Sequence, residues 1–490
     1  MRRPAGATLA IGFGLFALSF GMRSLYAVDL APVMYTRDQP GIRMAMRYDG
    51  AALHMLAGDG LLFPAEVDPQ RTGLLARPPG YAAFLRWVYA SLGRSFFTVQ
   101  LVQNLLDSAT PVIILLLGVR LLGRAAGTVG GFLAAISPHL SYASNLISPD
   151  ALSALPLGCA SLLLMGSAFG PPVDLRRGAG AGILLGLSAW LRPNLVLAGP
   201  FFAVALVLAC RDRRTALRPA LVLVATAGLT IAPITLRNYL IFGEFVPISI
   251  NGGLTLWQGV ADAGGERFGA RTTDRRVARE EAERYGKPEY AQWWAEPDGI
   301  WRDHDRYHRS LEVIRARPTW YLKAMLRRMG AMVSYHAAEA PWVARAGAGP
   351  LPGAPDEDEG STEDDRLAPL RLFQEQGHSA LPPLASERRT LVPGEALRAL
   401  RPGVRVLQGA AAAVTLPLLL IGLAVLSRQA PRRALFVAIV PAYYLIFESM
   451  FLYEWRVATP MHGYLFLFAG TGLAWMGRAV ATRLRPSAQG

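Results

Sequence analysis

Apolar stretches long enough to cross a bilayer recur along this chain, near residues 5–27, 97–122, 126–144, 150–169, 178–192, 194–210, 217–236, 404–427, 434–452 and 457–477. A helix needs roughly 17–25 mainly apolar residues to span the hydrocarbon core. A chain of 490 residues with ten such runs reads as an all-α polytopic membrane protein with about ten transmembrane helices. Charged residues make up only 18% of it, well below the quarter usual in soluble domains, and 52% are hydrophobic.

The net charge of +14 would point a soluble protein toward nucleic acid. Here the arginines crowd into short connections between apolar runs, and no basic stripe interleaved with aromatic residues is present, so nucleic acid is not expected as a partner. The clusters at Arg120 and Arg124, Arg176 and Arg177, Arg211 to Arg218, Arg428 to Arg433, and Arg478 to Arg485 all thread to the side of Arg2 and Arg3. By the positive-inside rule that face is cytoplasmic. Both termini are then expected in the cytoplasm, with the first run kept as an uncleaved span in contact with membrane lipids. The only cysteines, Cys159 and Cys210, lie at or inside apolar runs and have no metal-binding spacing.

Two long segments fall outside by this threading. The first, 28–95, belongs with an N-terminal transmembrane module of residues 1–236. The second is an external segment, 237–402, long enough to be a mixed subdomain rather than a connector. It contains the acidic run Asp356–Asp365, read as a disordered solvated loop, and the stretch Arg309–Tyr335, whose apolar and basic residues alternate at helical spacing as in a helix on a membrane surface. Residues 403–490 supply the last spans and a cytoplasmic tail.

The first external segment carries two chemical features. In "YDGAALHMLA", Ala52, Leu53, Leu56 and Ala57 recur at helical spacing over Tyr48–Ala57. Asp49 falls on or beside that apolar face, where an ionised group must be paired or line a wet cavity. It either caps the first turn of this helix or belongs to a site. In "ARPPGY", two prolines and a glycine make a tight turn into a new helix, and Arg77 is held directly before it. A planar, permanently charged guanidinium on a rigid turn suits a phosphate; an interfacial arginine touching lipid headgroups is the plainer alternative. Near the last spans, Glu448 lies within an apolar run and Glu454 is two residues from Arg456. Single histidines at His54, His139 and His462 have no partner spacing for a metal.

The order "YDGAALHMLAGDG", "ARPPGYAAFL", "QLVQNLLDSATPVIILLLGVRLLG", "SPHLSYASNLISPDALSALPL", "GLSAWLRPNLVLAGPFF" and "TLRNYLIFGEFVPISINGG" resembles polytopic glycosyltransferases of the GT-C type. The family 39 group, which holds protein O-mannosyltransferases and lipid A aminoarabinose transferases, is the most similar. The resemblance covers residues 1–260, and the last spans loosely. It implies a GT-C-like fold with outer-face amphipathic helices. It also implies a hexosyl- or pentosyltransferase that takes sugar from a polyprenyl-phosphate donor, with inversion, to a glycan, lipid or protein acceptor. Asp49 then matches the catalytic base, Arg77 the residue that holds the donor phosphate, and Asp150 of "SPD" a second acid. Arg192 of "WLRPN" and Arg237 of "TLRNY" are further phosphate candidates that serve equally well as helix-end anchors, and Glu448 and Glu454 are further acids. Gly50 and Leu53 stand where many relatives have a second acid and a tyrosine. No cofactor is required by these residues, and a divalent metal is left open. The expected location is a bacterial inner membrane with the active site outside. A polytopic transporter or flippase for a lipid-linked or glycan substrate is the alternative; it would show internal repeats and broken helices at the midplane.

Overall fold

The computed structural model describes residues 6–34, 40–58, 60–61, 72–169, 173–333 and 399–483, and among them the chain is helical with no strand. The N-terminal part is built from α1 (Gly6–Met34), α2 (Pro40–Ala57), α3 (Gly80–Leu92), α4 (Phe96–Asp107), α5 (Ala109–Leu121), α6 (Arg124–Ile136), α7 (Pro138–Ala143), α8 (Ala154–Leu164), α9 (Leu175–Leu191), α10 (Ala198–Ala209) and α11 (Arg213–Phe242). The segment after α11 holds α12 (Asn251–Val260), α13 (Asp274–Tyr285), α14 (Gly299–Ala316) and α15 (Pro318–Val333). The chain closes with α16 (Arg401–Gln429), α17 (Pro431–Phe447) and α18 (Thr459–Arg483). The acidic run Asp356–Asp365 lies outside the described residues.

Among the described residues, six helical stretches are long and apolar enough to cross a membrane: Gly6–Val28, Phe96–Leu121, Arg213–Phe242, Pro402–Gln429, Pro431–Met450 and Thr459–Thr482. Three further apolar helices, Arg124–Ile136, Ala154–Phe169 and Pro193–Ala209, are shorter. Each expected apolar run is therefore helical, but a length-based count falls short of ten because several runs are cut or short. The 126–144 run breaks at Ser137–Pro138, where the proline starts a new helix, and the 178–192 run forms a helix of only 17 residues, Leu175–Leu191.

Lipid tails are as apolar as leucine, so helices in a bilayer associate through close packing rather than the hydrophobic effect. Small residues supply that closeness here. The backbones of Gly118 in α5 and Gly127 in α6 lie in direct contact, as do Gly422 of α16 and the Phe468 carbonyl of α18. A side chain at either glycine would force the helices apart. The large core of the bundle runs from Ile113 and Leu133 through Leu185, Phe202 and Leu223 to Phe436 and Phe466.

Helices α12 to α15 pack around a core of their own that includes Trp257, Val277, Trp294 and Tyr321. Beside it, the buried carboxylate of Glu281 accepts hydrogen bonds from Arg302 and Arg306 at 2.6–2.8 Å, and from Arg309 at 3.2 Å. This unit reaches the turn before Arg77: the Ile250 N–H donates to the Leu75 carbonyl (3.1 Å), and the Gly299 N–H donates to the Thr72 hydroxyl (3.0 Å). The short helical turn Thr72–Ala76, which leads into Arg77, is therefore held from the 237–333 side. On α15, Leu322 and Leu326 are exposed next to exposed Lys323 and Arg327, the pattern of a helix lying at a membrane surface.

Candidate functional site

Helices α2 and α3 cross through Ala45, Tyr48, Ala52 and Leu53 on one side and Tyr81, Leu85, Val88 and Tyr89 on the other, with Tyr48 edge-on to Tyr81 at 5.0 Å. Because α2 begins at Pro40, Asp49 sits in mid-helix and is not a first-turn cap. Its side chain is 1% exposed and held at both oxygens: Tyr89 Oη donates to Oδ1 at 2.8 Å, Arg94 Nε to Oδ1 at 3.0 Å, and Arg94 Nη2 pairs with Oδ2. Local chemistry explains how Arg94 reaches it. Gly93 ends α3 with φ +83°, a conformation costly for other residues, and turns the chain back. Ser95 then starts α4 by accepting the Thr98 N–H, so Arg94 is fixed between two helix ends.

At the other end of α3, Pro79 precedes the first helical residue, Gly80. A methyl group on Gly80 would lie 2.5 Å from the Trp190 carbonyl oxygen, so only glycine lets this turn close on the last turn of α9. The "RPPG" turn is thereby docked two residues from Arg192. Arg77 donates from Nη1 to the Ala76 carbonyl at 3.3 Å, while its buried Nε has no hydrogen-bond partner. Asp49 is therefore bonded from the C-terminal end of α3, while its neighbour Tyr48 packs on Tyr81 in the first turn after the Arg77 segment.

The remaining charged residues converge on the Arg77 end. Asp150, 1% exposed, pairs with Arg192 and accepts the Ser148 hydroxyl at 2.7 Å. Asn194 Nδ2 donates to Glu448 at 2.5 Å in the turn that ends α17. Glu454 takes Arg456 on one carboxylate oxygen, Oε2, as expected for that pair. Burial pushes the Glu454 carboxyl up, but Arg456, Arg192 and Arg77 together hold it below the usual carboxylate range. Arg456 is held above its ordinary value: burial opposes this, and Glu454 and Asp150 outweigh it. Three arginines and three carboxylates thus share one polar region.

Irregular backbone beside a membrane bundle must have its polar groups satisfied by protein. The loop that carries Asp150 shows how. Gln100 donates to the Asn145 carbonyl at 2.7 Å, and Gln103 donates to those of Ser144 and Leu146 at 2.7 and 2.9 Å. Tyr81 Oη in turn donates to Gln103 at 2.9 Å, which ties the loop back to α3.

Arg237 is placed differently from the other phosphate candidates. It is buried, and its Nε and Nη2 donate to Asn238 Oδ1 at 2.9 and 2.6 Å, while Asn238 holds the Val246 and Ile248 carbonyls. That is the arrangement of a helix-end anchor. His139 and His462 stack at 4.3 Å, and His139 Nε2 lies 3.3 Å from the Trp455 carbonyl beside Glu454. Among the described residues no group of three or more His, Cys, Asp or Glu is placed to hold a metal. Beyond Asn194, an apolar groove of about 510 Å³ opens between α10 and α11, lined by Val196, Pro200, Val224, Ile231, Leu236 and Phe245.

Sequence reasoning missed Arg94, Tyr89 and the two glutamines. The signal for Arg94 was its place after a helix-ending glycine; the glutamines looked like ordinary polar residues of an apolar helix.

Residues 76–236 match the family described as dolichyl-phosphate-mannose-protein mannosyltransferase. Over that stretch the chain resembles the GT-C glycosyltransferases. Among solved structures, it is similar to the oligosaccharyltransferase of Archaeoglobus fulgidus in its apo form (10% identity, TM-score 0.49). The two align over 98% of this chain and 52% of that one. The same archaeal enzyme, AglB, in complex with an inhibitory peptide and a dolichol-phosphate gives 13% identity and a TM-score of 0.48, with 98% and 52% covered. ArnT from Cupriavidus metallidurans bound to undecaprenyl phosphate gives 13% identity and a TM-score of 0.34, with 98% and 81% covered. The chain spans about half the length of the oligosaccharyltransferases it resembles. No curated protein matches it.

Proposed function

We propose that this protein is a membrane glycosyltransferase that moves a sugar from a polyprenyl-phosphate donor to a hydroxyl-bearing acceptor at the outer face of the membrane. The observation that carries the reading is the convergence of Arg77, Arg192 and Arg456 around Glu454, on the side where the matched segment begins, with the Arg77 Nε buried and unbonded. An unsatisfied, buried guanidinium N–H is costly, and a phosphate oxygen would satisfy it. The apolar groove just past Asn194 fits a lipid chain attached to such a phosphate. The description of the family matched by residues 76–236 names a dolichyl-phosphate sugar, the same ligand class.

In this reading the acceptor hydroxyl gives its proton to the Asp49 carboxylate while its oxygen attacks the anomeric carbon. The bond from that carbon to the phosphate oxygen breaks, the electron pair leaves with the polyprenyl phosphate, and the anomeric centre inverts. Charge grows on the departing phosphate, where Arg77 and Arg192 are best placed to offset it. Asp150 keeps Arg192 oriented. The acceptor is a glycan, a lipid or a protein, met by the external helices.

The test uses purified protein in liposomes, a panel of undecaprenyl-phosphate hexoses and pentoses, and an envelope lipid extract as acceptor. Release of undecaprenyl phosphate that depends on Asp49 and Arg77 is expected. Movement of intact lipid-linked sugar across the bilayer without bond cleavage would overturn the transferase and favour a flippase.

A further inference from the structure

The strongest unassigned feature is the clamp on Asp49. Tyr89 and Arg94 are 40 and 45 residues further along the chain; Tyr89 is buried with Asp49, and Arg94 is half-buried with its side chain 8% exposed. We infer that Arg94 and Tyr89 are positioning residues for glycosyl transfer, which fix the Asp49 carboxylate so that a single acceptor site on Oδ2 is left for the incoming proton. The inference rests on the reading of Asp49 as the base.

A carboxylate offers about four acceptor sites. Tyr89 Oη and Arg94 Nε take two at Oδ1, and Arg94 Nη2 takes one at Oδ2. The guanidinium fork makes two parallel contacts, so it fixes the plane of the carboxylate as well as its position. Tyr89 removes the remaining freedom at Oδ1. The two residues come from different supports, the last turn of α3 and the Gly93–Ser95 reversal, so the carboxylate is located by two helix ends as well as by its own helix. Such positioning matters to rate because a misplacement of about 1 Å in a reacting group costs roughly a hundredfold.

A purely structural staple between α2 and the α3–α4 turn is the competing account, and kinetics separate the two. Arg94→Lys, Arg94→Gln, Tyr89→Phe, Asp49→Asn and Asp49→Glu are compared as purified proteins in liposomes, with undecaprenyl-phosphate hexoses and pentoses as donors and an envelope lipid extract as acceptor. Tyr89→Phe should lower kcat about threefold to tenfold, and Arg94→Gln about a hundredfold. The donor KM should stay within about threefold of the parent in both. Arg94→Lys should recover part of the loss, and added guanidinium should partly rescue Arg94→Gln. In the Asp49→Glu background, Arg94→Gln should cost far less than in the parent, because residues acting through one group are not additive.

If Arg94→Gln and Tyr89→Phe keep the parental kcat while Asp49→Asn is inactive, the positioning role is wrong and the base assignment stands. If Asp49→Asn itself keeps the parental kcat, the base assignment fails and the clamp falls with it. Should Arg94→Gln be too unstable to purify, Tyr89→Phe and Arg94→Lys decide alone. Lower melting temperatures with unchanged kcat in both mean a staple.

Discussion

Arg23 of α1 and Asp107 of α4 form an ion pair at 2.8 Å inside the bundle, with side chains 0% and 4% exposed. The surroundings complete it: Arg23 also bonds Ser19, Thr110 donates to the other Asp107 oxygen at 2.8 Å, and the Arg23 carbonyl accepts from Asn104 and Asn145 at 3.2 and 3.0 Å. Breaking a buried pair leaves one charge uncompensated, at about 3–5 kcal/mol. Arg23→Leu should lower the melting temperature of the detergent-purified protein strongly. The double variant Arg23→Leu, Asp107→Leu should recover much of the loss, since it leaves no orphan charge. Equal melting temperatures for the single variant and the parent would show that water reaches the pair.

Asp49→Asn keeps the shape of the side chain and removes the base. It should leave the protein inserted and folded and reduce transfer by about 10²–10⁴-fold, the usual contribution of general-base catalysis. Turnover of the undecaprenyl-phosphate donor panel at matched membrane levels measures it.

Arg77→Lys keeps the charge and loses the planar fork, so partial turnover should survive. Arg77→Ala should lose about 3 kcal/mol of transition-state stabilisation. A lipid-headgroup anchor would instead lower insertion a little in both variants and spare kcat, so insertion and kcat are measured side by side.

Asp303, in α14, is buried, and burial raises its carboxyl to about 7 from an ordinary 3.8, against the pull of Arg306 and the Leu254 N–H. The folded protein therefore keeps the proton to a higher pH than the unfolded chain. The stability this contributes is complete below about pH 4 and is lost as pH rises through about 7. The melting temperature should fall over that interval. Asp303→Asn, which cannot ionise, should flatten the slope, and thermal unfolding in buffers from pH 4 to 8 reads both.

Hydropathy and helical spacing were legible in the chain because both are local. Ten apolar runs became helices, and the sharp turn after Arg77 is written into two prolines and a glycine. The pairing of Glu454 with Arg456 also needed only two residues of separation. The extent of α2 was not legible, because Ile42, Met44 and Met46 in its first turns fall at alternate positions rather than at helical spacing, and the first-turn place open to Asp49 was lost as a result. What tertiary structure alone decided is which charge meets which. Arg94 reaches Asp49 across 45 residues, Arg192 reaches Asp150, and Asn194 reaches Glu448 across 254. Those partners depend on how the helices cross and how closely glycines such as Gly80 let them approach. A buried charge must find a partner somewhere, and the order of residues along one strand of chain does not say where.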